Sequence, residues 1–138
     1  MISFAEAAEV YLFMPMVSRP VVRAEEPNNN CVEAFGLSLN EEQTFRPDDK
    51  DDWFFFETIQ PSELTVVLRD FSPGAGQIVV ASGQSCGDLK FIGNNGSSTP
   101  TKTVSLGQRP AGRYFIWIIN DGALDTNSAY RLYVRSTP

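Results

Sequence analysis

The stretch "RPDDKDDWFFFE", residues 46–57, joins a dense acidic run to four consecutive aromatic residues. Successive side chains of a β-strand point to opposite faces of the sheet. Phe54 and Phe56 are therefore expected to share one face, with Trp53 and Phe55 on the other. Large rings on both faces predict a strand inside a sheet, with one face in the core and the other face covered or available for binding.

Short runs rich in Val, Ile, Thr and aromatic residues continue along the chain from about residue 42. They are "QTFRP", "DWFFFETI", "LTVVLRD", "QIVVAS", "LKFIG", "TKTVSL", "GRYFIWIIN" and "AYRLYVR", separated by turn-forming segments such as "SPGAG" and "RPAG". About eight strands, spaced roughly 10 residues apart, predict an all-β antiparallel sandwich.

A second run with apolar residues on both faces is "GRYFIWII", residues 112–119. Tyr114 and Ile116 are expected on one face of the strand, with Phe115 and Trp117 on the other. The two such runs are therefore predicted to be central strands.

The charge of the chain excludes one class of partner. It has 138 residues, enough for one domain with its own core. Eleven Lys and Arg against 17 Asp and Glu give a formal net charge of −6. Because no basic surface is available for a phosphate backbone, nucleic-acid binding is not expected.

The N-terminal residues 1–24 form a separate segment, followed by a predicted domain over residues 25–138. The apolar run "VYLFMPMVSRPVV" is interrupted by two prolines and an arginine, whereas a membrane-spanning helix needs about 20 apolar residues. Glu6 and Glu9 precede this run, which is unlike a secretory leader. We interpret the segment as an apolar linker or an extra edge strand, and expect no membrane span.

Enzyme motifs are not supported. "GQSCG", residues 83–87, matches the G-x-S-x-G pattern of hydrolases, but that site needs a histidine base and the chain has none. A cysteine nucleophile would lack its imidazole partner for the same reason. The aspartates lie in one loop, whereas a paired-carboxylate glycosidase places its acids on opposite sides of a cleft. The chain is therefore not expected to be an enzyme.

The acidic run has two interpretations, a solvated turn or a cation site. Asp49 and Asp52 lie three positions apart just before a strand, and "EEPNNN", residues 25–30, concentrates further side-chain oxygens. Calcium prefers carboxylate, amide and carbonyl oxygens. A cation would also relieve the repulsion within the run, in which Asp48 and Asp51 are expected to be solvated turn residues.

The two cysteines, Cys31 and Cys86, are widely spaced. Their number and spacing are compatible with one disulfide or with two free thiols.

Several motifs occur in an order that resembles the bacterial pre-peptidase C-terminal domain, a family related to the collagen-binding domains of clostridial collagenases. These are "EEPNNNCVEAFGLSL", "DDKDDWFFFE", "LTVVL", "PAGRYFIWIIN" and the final "YRLYV". The resemblance implies a β-sandwich of jelly-roll type. It also implies a non-catalytic accessory module of a bacterial secreted or cell-surface protein, which assists the stability, secretion or targeting of an attached enzyme such as a peptidase.

The resemblance also implies a structural calcium site between the linker and the loop before the aromatic strand. Carried over by position, its ligands would be Glu26, Asn28, Asn29, Asp49 and Asp52. The sequence departs from the collagen-binding relatives at Ala24, where they place a further glutamate.

An exported protein favours a disulfide between Cys31 and Cys86. The outer rings Trp53, Phe55, Phe115 and Trp117 have two interpretations. They could recognise an extracellular collagen-like protein or a polysaccharide, or the N-terminal segment could pack over them as an extra strand.

Overall fold

The computed structural model of this chain describes residues 27–46, 50–71, 76–120 and 129–138. These residues form nine strands and two short 3₁₀ helices. The strands are β1 Phe35–Gly36, β2 Gln43–Phe45, β3 Asp51–Thr58, β4 Ser62–Arg69, β5 Gln77–Ser82, β6 Lys90–Asn95, β7 Lys102–Arg109, β8 Gly112–Ile119 and β9 Tyr130–Thr137. The 3₁₀ helices are η1 Cys31–Glu33 and η2 Cys86–Asp88.

The strands pack as two sheets. One sheet has five strands in the order β1-β3-β8-β5-β6, and the other has four in the order β2-β9-β4-β7. All pairings are antiparallel except that of β1 with β3. The all-β antiparallel sandwich predicted from the sequence is therefore confirmed.

Alternation along the strands explains the core. In β3, Phe54 and Phe56 are 0% and 1% exposed, and their partners in β8 are Ile116 and Tyr114. From the four-stranded sheet, side chains at alternate positions of β4, β7 and β9 complete the core. They are Leu64, Val66, Leu68, Val104, Leu106, Tyr130, Leu132 and Val134.

Each of the eight predicted segments overlaps one of the strands β2 to β9. β8 lies in the centre of its sheet, as expected from its two apolar faces, and β3 lies beside it. On its other side β3 pairs, among the residues that the structure describes, only with the two-residue β1. The predicted domain boundary after residue 24 lies outside the described residues.

In the part of the chain that the structure describes, no helix is long and apolar enough to cross a membrane.

Candidate functional site

Asn28, a predicted calcium ligand, is fully buried beside the start of β3. Its main-chain carbonyl accepts the N–H of Trp53 at 2.8 Å, and its Nδ2 donates to the carbonyl of Trp53 at 3.2 Å. The second bond fixes the amide orientation, because the reversed amide would place two acceptor oxygens together. Its Oδ1 has no hydrogen-bond donor among the described residues. A buried amide oxygen in this state is suited to a cation or a water molecule.

Asp52 lies on the core side of β3 and is 2% exposed. Its Oδ2 accepts the hydroxyl of the fully buried Tyr130 at 2.9 Å. Asp52 immediately precedes Trp53, the residue that Asn28 binds. The structure therefore brings an amide oxygen and a carboxylate to the same end of β3.

The other predicted ligands give less information. Asn29 is exposed, and Glu26 and Asp49 lie outside the described residues. Within the described ranges, no three His, Cys, Asp or Glu side chains come together as a metal-binding group. Asn28 and Asp52 nevertheless fit a hard cation in donor chemistry, since both supply oxygen.

Four rings on the outer side of the five-stranded sheet form the outer aromatic cluster: Trp53, Phe55, Phe115 and Trp117. The register pairs Trp53 with Trp117 and Phe55 with Phe115. The two indoles stack with centroids 5.0 Å apart, and the phenyl rings are tilted with centroids 6.3 Å apart. Trp53 is only 9% exposed and Phe115 only 3%, whereas Phe55 and Trp117 are half-buried. The rings therefore contact one another in two pairs across β3 and β8, and they do not form a fully exposed patch.

Asp51 is not a solvated turn residue as expected. It is the first residue of β3 and pairs with Ile119, and its Oδ1 accepts the indole N–H of Trp117 at 2.9 Å. The prediction failed because the strand was expected to begin at Asp52, whereas the ladder with β8 begins one residue earlier, at Asp51. The polar group of Trp117 is consequently already bonded within the protein.

Arg113 covers one end of the cluster, a role that the sequence did not reveal. Its guanidinium lies 4.6 Å from the centroid of the Phe55 ring, and it binds Glu57 at 2.9 Å. Such a cation–π contact holds both groups over the sheet. Only the β3–β8 register, which places Glu57 opposite Arg113, could have revealed this pair.

Cys31 and Cys86 form the expected disulfide, which joins η1 to η2. The two cysteines, together with Val32, Phe55, Phe115 and Arg113, line an open groove of about 300 Å³ on this side of the sheet. Val32 is 85% exposed at this groove. The disulfide thus places two loop segments beside the outer aromatic cluster.

A scan against protein-family models finds no match, and a search of curated proteins also finds none. Solved structures do match. The pre-peptidase C-terminal domain of a collagenase from Bacillus anthracis superposes with a TM-score of 0.60 at 13% identity, over 73% of this chain and 93% of that chain. This chain has the same fold. The fold expected from the ordered motifs is therefore confirmed.

Two other structures match more weakly. PliG, a periplasmic inhibitor of g-type lysozyme from Aeromonas hydrophila, gives a TM-score of 0.41 at 13% identity over 73% of this chain and 95% of that chain. A β-glucosidase from Paenibacillus barengoltzii gives 0.29 at 11% identity, and 12% of that chain is covered. Neither score is high enough to indicate a shared fold.

Proposed function

We propose that the chain is a non-catalytic accessory module of an exported bacterial protein, which assists the stability, secretion or targeting of an attached enzyme such as a peptidase. The observation that carries the proposal is its fold, which superposes on nearly the whole of a domain that belongs to a collagenase. The disulfide supports export, because such bonds persist in oxidising compartments.

A fusion experiment tests this role. The 138-residue chain is joined to the C-terminus of a secreted bacterial protease, and extracellular activity and its half-life are measured against the protease alone. We expect a higher yield or a longer half-life with the module. The control carries Leu132→Asp, which places a carboxylate in the core and unfolds the module. Equal yield and half-life for all three proteins would contradict the proposal.

We further propose that calcium has a structural role at the β3 end, held by Asn28 and Asp52 with the other predicted ligands. Bound calcium would supply positive charge for the buried carboxylate and the buried amide oxygen. Any ligand that binds only the folded state stabilises it, by about 2.7 kcal/mol at a concentration of 100 Kd.

Thermal unfolding with calcium and then with chelator tests this site. We expect calcium to raise Tm and Asp52→Asn to abolish the increase. Asp51→Asn is the matched control, since its side chain points to the outer face and binds Trp117. No change in Tm for the unaltered chain, or the same loss in both variants, would remove the calcium site.

A second candidate function is binding of a collagen-like protein or a polysaccharide through the outer aromatic cluster. It is favoured by the open groove of about 300 Å³ beside Phe55 and Phe115. Cosedimentation with insoluble collagen, cellulose and cell walls tests it. We expect Trp117→Ala, which alters a half-buried ring, to reduce binding. If Trp117→Ala and the unaltered chain cosediment in equal amounts, this cluster is excluded as the binding surface.

A further inference from the structure

The five-stranded and four-stranded sheets end in four edge strands, and these differ in how they are protected. β1 and β2 are only two and three residues long, which leaves little main chain for another strand to pair with. β6 and β7 are six and eight residues long. The two long edge strands, β6 and β7, therefore lie next to each other on one side of the sandwich.

The main chain of β7 accepts hydrogen bonds from two side chains, one from β6 and one from β7 itself. The carbonyl of Thr103 accepts the Nδ2 of Asn95 at 3.0 Å, and the carbonyl of Leu106 accepts the Nε of Arg109 at 3.0 Å. These two bonds occupy acceptors that an incoming strand would otherwise use.

β6 lacks this protection. Among the described residues, no side chain bonds to the main chain of Lys90–Asn95, and no strand pairs with its outer edge. Phe91 is 62% exposed, although most large apolar side chains of the sandwich are buried. The register places Phe91 opposite Ala81, on the outer side of the sheet. β6 thus combines an open main-chain edge with an exposed ring.

The exposed Lys90 gives the edge of β6 a preference for an acidic side chain. It is exposed and makes no ion pair with any described residue, and β6 contains no acidic residue. Lys90 is the one charged residue of β6, and Asp88 of η2 lines the same groove as Lys90. The lysine complements an acidic side chain in a strand that pairs with β6.

We propose that β6 is a docking edge for an extended polypeptide segment of a partner protein, which adds to the five-stranded sheet as a further strand. Main-chain hydrogen bonds would supply affinity, as in other strand-addition complexes. An apolar side chain would pack on Phe91, and an acidic side chain would lie near Lys90. The surface is separate from the calcium site and does not depend on the accessory role.

The register shift between Val80 and Ala81 leaves Ile92 as an extra residue in β6. Ile92 packs against the core, while Phe91 faces outwards. A bulge of this kind interrupts a ladder, so the partner would pair with short stretches on either side of it. Weak, reversible binding is expected rather than a permanent complex.

Other occupants fit less well. A polysaccharide has no regular row of amide donors and acceptors to match a strand edge. A second copy, paired over the whole of β6 in antiparallel register, would place Phe91 opposite Asn94 and Lys90 opposite Asn95. That arrangement leaves the ring against an amide and gives the lysine no opposite charge.

The test uses a phage-displayed library of linear peptides panned on the full chain. The enriched peptides are then synthesised and titrated while the amide resonances of the protein are followed by NMR. We expect shifts centred on Lys90–Asn95. Backbone N-methylation at one set of alternate peptide positions should abolish binding, whereas methylation of the other set should be tolerated, because alternate N–H groups face the edge.

Protein variants complete the test. We expect Phe91→Ser to weaken binding about tenfold or more, the size expected for the loss of a large apolar contact. Ile59→Ser is the matched control, since Ile59 is 96% exposed in the β3–β4 turn and should not affect binding. Lys90→Gln should make the affinity for the peptide less dependent on salt concentration. The absence of enriched peptides, insensitivity to N-methylation, shifts centred on Trp117, or concentration-dependent dimers through β6 would each overturn the proposal.

Discussion

At the residue scale, the pair of Asp52 and Tyr130 links the two sheets through a buried hydrogen bond of 2.9 Å. Without the Tyr130 hydroxyl, the carboxylate of Asp52 would still be removed from water but would have lost this hydrogen bond, so the folded state would be less stable. We expect Tyr130→Phe to lower the free energy of unfolding by about 1.5–3 kcal/mol, the range for a hydrogen bond to a charged group. Chemical denaturation measures the change. Tyr133→Phe, on the half-exposed face of β9, is the control, and an equally small effect of both variants would contradict this role.

Tyr114 gives the protein a predictable response to alkaline pH. It is 2% exposed and donates to the carbonyl of Pro110, and burial raises its pKa above the usual 10.0, an effect that Arg109 partly opposes. Above pH 10 the unfolded tyrosine loses its proton while the folded one keeps it. The stabilisation is therefore complete below pH 10 and is lost as the pH rises through the folded pKa.

Tyr114→Phe isolates this contribution. The free energy of unfolding of both proteins is measured between pH 8 and about pH 11, the range that brackets the ordinary tyrosine pKa. We expect the difference between them to shrink as the pH rises above 10. A difference that is constant with pH would show that burial does not shift the ionisation of Tyr114.

At the element scale, β6 approaches β7 closely enough to require a glycine. A Cβ at Gly93 would lie 2.7 Å from Cγ1 of Val104 and 3.0 Å from Cδ2 of Leu106. We expect Gly93→Ala to lower the free energy of unfolding by about 1–3 kcal/mol, as overpacking of a core usually does. Gly96→Ala is the control, because its nearest neighbour is Cβ of Gln77 at an ordinary 3.7 Å.

A double variant tests whether the cost comes from crowding. Val104→Ala removes the atom nearest to the new methyl group, so it should cost less in the Gly93→Ala background than in the unaltered chain. Equal costs in both backgrounds, measured by denaturant unfolding, would show that the two positions are not coupled.

The strands could be predicted from the sequence because alternation is a local signal. The inward positions of β3 and β8 were correct. β1 could not be predicted, since two residues that pair only with β3 carry no periodicity of their own. The acidic run illustrates a second limit. Charge alone assigned Asp51 to the turn, whereas its bond to Trp117 depends on a register between strands 66 positions apart.

The candidate site was only partly predictable for the same reason. The four outer rings were placed together by alternation, but η1, η2 and Arg113, which lie beside Phe55 and Phe115, come from distant parts of the chain. The orphaned amide oxygen of Asn28 is likewise a property of three-dimensional packing. The function of these rings and the calcium set, of which Glu26 and Asp49 lie outside the described residues, stay predictions.

At the scale of the whole molecule, the disulfide between Cys31 and Cys86 links η1 and η2, the two short helices that border the groove. The cysteines are 55 positions apart, and the loop they close contains β1 to β5. In the chain-entropy account, closing a loop of this length lowers the conformational entropy of the unfolded state. This stabilises the folded state by about 4 kcal/mol. Because the bond lies outside the core, its loss should leave the sandwich itself intact.

We therefore expect the double variant Cys31→Ser with Cys86→Ser to keep its β-sheet circular dichroism while Tm falls by roughly 10 °C or more. Reduction of the unaltered chain by a dithiol should give the same decrease, since it breaks the same bond without changing the packing elsewhere. The two single variants should match the double variant, because either one removes the whole bond. A decrease of only one or two degrees in all of these proteins would mean that the unfolded chain is already compact around this loop. In that case the bond would serve chiefly to hold η1 and η2 beside the outer aromatic cluster.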